Sequence, residues 1–492
     1  MSSLRLRPPF SPAEVVAVSA IVLGGAALRC LRLTFQSLWF DELFSVVFSR
    51  SDLTVAAIIE KYAGDVHPLG YPLLLHGWLR IFGDGDLAAR SLSVVCGVAG
   101  IVVLWWVARR LGGPRLGLIA GLLVAVNAYH IAYSQETRSY ALVFVLAALS
   151  YLALLLFIDA PGWRTALAFG LIVAIAFHVH YYALVMFFGQ MVAAVGVLFA
   201  RDRDRRALRF VIVPGAVVAL AMLPWLGPFL RVAGFDRYWP AVPEPWFFVG
   251  YFRTYFGDNP ILSAVLAGVL IALPFLLKTR TEEDPADEII PLRTAAVVLA
   301  VSVAASLAVA YARSVLAVPM LIPRFTIVLL PAILLLVAVA LSSIRPDRLR
   351  VGVVAAVIAL SLGDLALGGY YTEPRKEQWR EAAAWVLDDP RFDPEADAVL
   401  ALYSPGFQYY ADRRGAGVEI EEATAANLRR VLDEDRAEPP VIWLLLARGT
   451  EPPEEFMRLL GETCRRTGGV DLISARAQRW ETRGTAPAPE AR

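Results

Sequence analysis

Surplus charge of either sign is nearly absent from this sequence: 46 Lys and Arg stand against 45 Asp and Glu, which leaves a net charge of +1. With no basic excess and no basic stripe, it offers nothing to a nucleic-acid partner. Cysteine is scarce as well. Cys30, Cys96 and Cys464 are the whole set, and two of them fall in or beside apolar runs, so no disulfide framework is implied. No internal repeat is present, which weighs against an inverted-repeat transporter. The C-terminal region lacks a phosphate loop, metal-ligand spacing and any nucleophile motif.

What the chain has instead is apolar length. Hydrophobic residues make up 58% of its 492 positions, more than one packed soluble core would absorb. Uncharged runs such as Val15–Leu28, Leu92–Val107, Ala141–Ile158 and Phe325–Leu341 approach the ~20 residues that cross a bilayer. The expected fold class is mainly α: a polytopic membrane protein of about eleven transmembrane helices with a small C-terminal α/β domain. The spans read as 13–33, 88–108, 115–131, 139–158, 166–182, 183–200, 208–229, 261–277, 294–311, 324–343 and 351–369. The first, which has no small-residue cleavage site, reads as a retained helix rather than a signal peptide.

Arg and Lys set the expected orientation. Arg5 and Arg7, Arg109/Arg110/Arg115, Arg164, the run 201–209, Lys278/Arg280/Arg293 and Arg345/Arg348/Arg350 all fall on one side, which is then the cytoplasm. The acidic run "TEEDPADE" at 281–288 reads as a solvated loop on that side. The N-terminus is placed inside, and the first outer loop 34–87 and everything after residue 370 outside, with a membrane domain over 1–370 and a soluble domain over 371–492. In that tail "KEQWREAAAWVLDD", "TAANLRRVLDED" and "PEEFMRLLGETCRR" read as helices, and "DAVLALY" and "PVIWLLLA" as buried strands.

Polar chemistry gathers at the outer face. "LWFDELF" sets Asp41 and Glu42 side by side among Trp39, Phe40 and Phe44. The bland reading is a solvated loop start with Glu42 paired to Arg29 or Arg32, since charges at the bilayer edge cost little. The same loop, however, carries Asp65, His67 and His76; "YHIAYSQETRSY" adds His130, Glu136 and Arg138; "HVHYYAL" adds His178, His180, Tyr181 and Tyr182; and "PRFTI" adds Arg324. Carboxylates accept protons, arginines hold phosphate through charge-assisted bonds, and His with carboxylate can hold a divalent metal. Such a set suits a substrate with a phosphate at the membrane surface and an oily tail in the bilayer. The aromatic loop 238–255 reads by default as an interfacial belt.

The ordered set "LWFDE", "DVHP" with "LLLHGWLRIFGDGDLAARSLS", "YSQETRSYAL", "HYYAL" and "PRFTIVLLPAILLL" resembles the bacterial relatives of protein O-mannosyltransferases. These are GT-C glycosyltransferases, a superfamily that also includes the aminoarabinose transferase acting on lipid A. The resemblance covers about residues 30–345 in patches and is strongest over 36–141. It implies transfer of a sugar from a polyprenyl-phosphate carrier to an extracytoplasmic glycan, lipid or protein hydroxyl, with inversion at the anomeric carbon. The family's catalytic acid maps onto Asp41, with Glu42 beside it, and its "D-x-H-P-P-L" element onto Asp65, His67 and Pro68. This chain has Leu69 where the second proline is usual.

Asp41 is then expected to act as general base. Asp65, His67, Glu136, Arg138, His180, Tyr181, Arg324 and Arg32 are expected to bind substrate, with Arg138, Arg324 and Arg32 facing the phosphate. His180 is preferred to His178 because the "HYY" pattern includes it. A divalent metal through Asp41, Glu42, His67 or His180 stays open, as no ligand spacing is diagnostic. Two other readings are a lipid-linked-sugar flippase and a cell-envelope scaffold without catalysis. The near absence of mid-span charge speaks against the first.

Overall fold

The computed structural model describes residues 10–201, 206–235, 240–278, 289–433 and 440–483. Arg5 and Arg7, positions 202–205, Tyr238 and Trp239, Arg280, and the acidic run 281–288 therefore lie outside the described residues. The chain forms two compact units. One comprises residues up to Leu33 together with Ser51–Gly369; the other comprises Thr34–Arg50 together with the chain from Tyr370 onward. The sequence reading assigned the whole loop 34–87 to the membrane part, whereas its first third belongs to the unit that holds the C-terminal sheet.

The first unit is helical and multi-pass. Among the described residues nine helices are long and apolar enough to cross a membrane, and Trp163–Val179 is a shorter apolar helix. One of the nine, Asp86–Val126, breaks at Gly112 and Gly113, so it contains two of the spans read from the sequence. Gly113 has φ +83°, which a residue with a Cβ adopts only under strain, and Pro114 follows it without an N–H to continue the ladder. With the break counted, the segments match the eleven expected.

Helices in lipid need no polar face, so burial shows which ones lie at the centre. Phe325–Ser342 is 89% buried and Tyr140–Asp159 72%, while Pro12–Cys30 and Ala207–Ala233 are each only 17% buried and present their apolar sides outward. A buried ion pair fastens the first helix: Arg109 Nε lies 2.5 Å from Glu14 Oε1 and its Nη2 3.1 Å from Oε2. The expected aromatic belt is only partly so. Trp246 is exposed, but Tyr251 and Tyr255 are buried, and Tyr255 donates to Thr326 Oγ1 at 3.0 Å.

Among the described residues of the second unit five strands form a mixed sheet in the order β2-β1-β3-β5-β4, with β1 Ala398–Ala401, β2 Ile420–Glu422, β3 Val441–Ala447, β4 Cys464–Leu472 and β5 Ala475–Thr482. β1 runs parallel to β2 and β3; β5 runs antiparallel to β3 and β4. The two apolar runs are indeed strands β1 and β3, and Trp379–Leu387 is a helix that buries Trp379, Ala382, Ala383 and Val386. One boundary differs from the sequence reading. The helix expected through "ETCRR" stops at Thr463, and from Cys464 the chain is strand.

Candidate functional site

Three turns of the first unit carry the polar groups. The stretch before helix Gly70–Phe82 holds Asp65 and His67. The turn between Ala128–Ser134 and Tyr140–Asp159 holds Glu136 and Arg138, and the link between Trp163–Val179 and Ala183–Arg201 holds His180, Tyr181 and Tyr182. Gly70 lets the first turn approach the third, because a Cβ there would stand 2.5 Å from the His178 carbonyl oxygen.

Asp65, His67 and Arg138 form a relay. Asp65 Oδ2 lies 2.6 Å from His67 Nδ1, and Arg138 Nη2 lies 2.5 Å from His67 Nε2. A guanidinium only donates, so Nε2 must accept, and the ring proton sits on Nδ1 facing Asp65. The imidazole is therefore neutral and aims the arginine. Burial pushes the Asp65 carboxyl up, but the hydrogen bond from His67, the Val66 N–H and the charge of Arg138 together outweigh it and hold the group below the ordinary carboxylate range. Arg138, Glu136 and Thr137 are buried, and the Arg138 N–H donates to the Glu136 carbonyl at 2.7 Å in a tight turn.

His180 stands beside this relay. Burial first, then the charges of Arg138 and Arg324, push its pKa down to about 3. Its Nδ1 accepts from the Tyr182 N–H at 3.2 Å, so a neutral ring carries its proton on Nε2. Its ring packs on Tyr140 and Phe325, each at a centroid distance of 5.8 Å. The linkage sign follows directly. The unfolded chain protonates this residue near 6.5 and the folded protein only near 3, so acid favours unfolding within that window. Thermal stability of the purified protein is expected to fall as pH drops from 6.5 towards 3, and His180→Gln should make that slope shallower. Parallel slopes for the two proteins in a thermal-shift titration would contradict the assignment.

A cavity of about 350 Å³ opens against these groups. His67, His180 and Tyr181 line its polar part, and Leu184, Val185, Phe229, Val232, Met320 and Phe325 give it an oily wall. The Tyr181 hydroxyl accepts from Trp225 Nε1 at 2.9 Å, which leaves its own hydrogen for a ligand. Burial raises this phenol to about 12, with the Trp225 bond opposing and the Asp65 charge adding to the rise, so it stays protonated.

Of the residues singled out in the sequence, Asp65, His67, Arg138, His180 and Tyr181 come together here. Glu136 follows in the Arg138 turn, and Arg324 acts on His180 through its charge. Arg32 sits exposed in left-handed backbone, φ +50°, beyond the first helix. His178 is structural: its Nε2 lies 2.9 Å from the Ala221 carbonyl. Arg313, which also lines the cavity and donates to the Ala233 carbonyl at 3.0 Å, was missed. A cation in the last turn of helix Leu292–Leu316 reads as a partner of the helix dipole, and only its place beside an outer-face cavity marks it out.

Asp41 and Glu42 belong to the second unit, in the first turn of helix Phe40–Val47. Glu42 is wholly buried, and its ion pair is with Lys376 Nζ at 3.0 Å rather than with the Arg29 or Arg32 expected from sequence. Asp41 is half-buried, and its carbonyl accepts from Ser45 Oγ at 2.9 Å. Among the described residues no three His, Cys, Asp or Glu side chains gather as a metal site requires. His67, with both ring nitrogens engaged, does not fit a ligand's role.

Comparison with known proteins agrees with this architecture. The family model for dolichyl-phosphate-mannose-protein mannosyltransferase matches residues 66–227. The solved structure of ArnT from Cupriavidus metallidurans bound to undecaprenyl phosphate superposes with a TM-score of 0.60 at 13% identity, over 96% of this chain and 98% of that one. Its apo state gives 0.58 at 14% identity, over 94% and 97%. The arabinofuranosyltransferase AftD from Mycobacteria gives 0.55 at 14%, over 96% of this chain and 40% of its own. No curated protein matches by sequence. The chain shares its fold with these solved structures of ArnT and AftD.

Proposed function

We propose that this GT-C-fold chain is an integral-membrane glycosyltransferase that moves a sugar from a polyprenyl-phosphate carrier to an acceptor hydroxyl outside the cytoplasm. The observation that carries the reading is the cavity with two characters. One wall is apolar and suits an isoprenoid chain; the polar part holds His67 and Tyr181, with the Asp65–His67–Arg138 relay behind it. Orientation with the N-terminus inside and the sheet domain outside is supported by Arg109, Arg110 and Arg115, Arg164, Arg293, and Arg345, Arg348 and Arg350.

In the reaction the acceptor oxygen attacks the anomeric carbon from the face opposite the phosphate. The new carbon–oxygen bond forms as the bond to the phosphate oxygen breaks, which inverts the centre and leaves the electron pair on polyprenyl phosphate. Asp41 takes the acceptor proton. An ordinary carboxylate suffices, because the hydroxyl becomes strongly acidic as the new bond forms. The departing phosphate gathers negative charge and needs cations more than a proton. Arg138 and Arg324 supply them, with Arg313 and the Tyr181 hydroxyl as further partners.

Native mass spectrometry in detergent tests the carrier site. Wild-type protein is expected to retain one undecaprenyl phosphate, and Leu184→Trp, which fills the oily wall, to lose it. Equal retention by both proteins, or none by the wild type, would remove the basis for this reading.

A further inference from the structure

The helix that carries the two acids is not self-sufficient. Phe40–Val47 is eight residues long and its N-cap, Trp39, makes no side-chain cap; a helix this short has little stability of its own. What holds it comes from the far end of the chain. Glu377 Oε2 accepts the Phe40 N–H at 2.9 Å, which caps the helix, and also the Trp379 indole N–H at 2.6 Å. Lys376 Nζ meets the buried Glu42 carboxylate at 3.0 Å, and the backbone N–H groups of Arg375 and Lys376 donate to Gln36 Oε1 at 2.9 and 3.4 Å. The Tyr410 hydroxyl accepts the Leu38 N–H at 2.9 Å, and the Arg448 guanidinium stacks 4.1 Å over the Phe40 ring. Both chain neighbours of Asp41 are thus held by groups more than 330 positions away, Phe40 through its backbone N–H and Glu42 through its carboxylate.

We infer that Lys376 and Glu377 are positioning residues for the acid pair, and that the C-terminal domain is the scaffold that presents Asp41. Glu42, fully buried, is engaged by Lys376; Asp41, half-buried in the same helical turn, is the member assigned to the reaction above. The inference rests on the reading of Asp41 as general base given above.

The test uses the full-length purified protein and steady-state kinetics. Lys376→Met is expected to lower kcat roughly tenfold while KM for the donor stays within about twofold, the signature of an interaction felt in the transition state. Lys376→Arg, which keeps the cation, is expected to recover most of that loss. Lys376→Met leaves a buried carboxylate without its partner and can fail to fold, so the decisive protein is the double variant Glu42→Gln/Lys376→Met, which removes both charges. It is expected to fold with a thermal midpoint near that of the wild type and still to show the roughly tenfold lower kcat. A purely structural pair would give wild-type kcat in the folded double variant, and that result overturns the inference. Asp41→Asn, run alongside, separates the two claims. If it is inactive while the double variant is fully active, only the positioning role falls; if it is fully active, the base reading falls and takes the positioning role with it.

Discussion

Asp41→Asn is expected to reduce kcat by roughly 10²–10⁴-fold, the usual worth of a positioned general base, with little change in KM for the lipid-linked donor. The substitution conserves shape and removes only the ability to accept a proton. Asp41 lies in the first turn of a helix whose N–H is capped by Glu377 and whose other acid is paired with Lys376, so the helix itself should persist. Asp41→Glu keeps the base but moves it by about one carbon–carbon bond. Because a misplacement near 1 Å can cost about 10²-fold, partial activity is expected there. The measurement is single-turnover sugar transfer by detergent-purified variants of matched thermal midpoint. Wild-type turnover in Asp41→Asn would remove the base from the mechanism.

The second large effect belongs to Arg138. Loss of a preorganised charge on a developing anion costs about 10²–10³-fold in kcat, and Arg138→Gln is expected to fall in that range. Lysine should not restore it. The guanidinium donates to His67 Nε2 at 2.5 Å as a rigid planar fork that matches phosphate geometry, whereas an ammonium is a point charge on a flexible stem. His67→Ala and Asp65→Asn should lower the rate less than Arg138→Gln, because they act through the arginine's orientation, and removing either from the Arg138→Gln protein should add little. Full additivity across these three residues in a kinetic cycle would show that the relay does not work as a unit.

How much of this was legible in the sequence follows from where the signal was local. Apolar length marks a span in lipid whatever the span packs against, so the eleven segments could be read. The break at Gly113 announced itself through Gly-Gly-Pro. The outer-face turns were found because each holds several polar residues between two oily runs; His67, His180 and Tyr181 line one cavity, and Asp65 and Arg138 hold His67.

What was hidden lay in long-range pairing. Lys376 and Glu377 open "KEQWREAAAWVLDD", which reads as a helix, and nothing local says that one neutralises Glu42 and the other caps Phe40. The hairpin of β4 and β5 was missed for a related reason. β4 is an outer strand with mostly exposed residues, so "CRRTGGVDL" has no apolar run to advertise it. Arg313 was passed over because an arginine ending a helix has an ordinary explanation.

The most direct test is transfer itself. The purified protein in lipid nanodiscs, given a panel of radiolabelled polyprenyl-phosphate sugars and an extract of extracytoplasmic acceptors, is expected to move label from at least one donor and to release free polyprenyl phosphate in equal amount, with Asp41→Asn and Arg138→Gln inactive in the same assay. Label that stays on the carrier with every donor, or that moves equally well with both variants, would contradict the account.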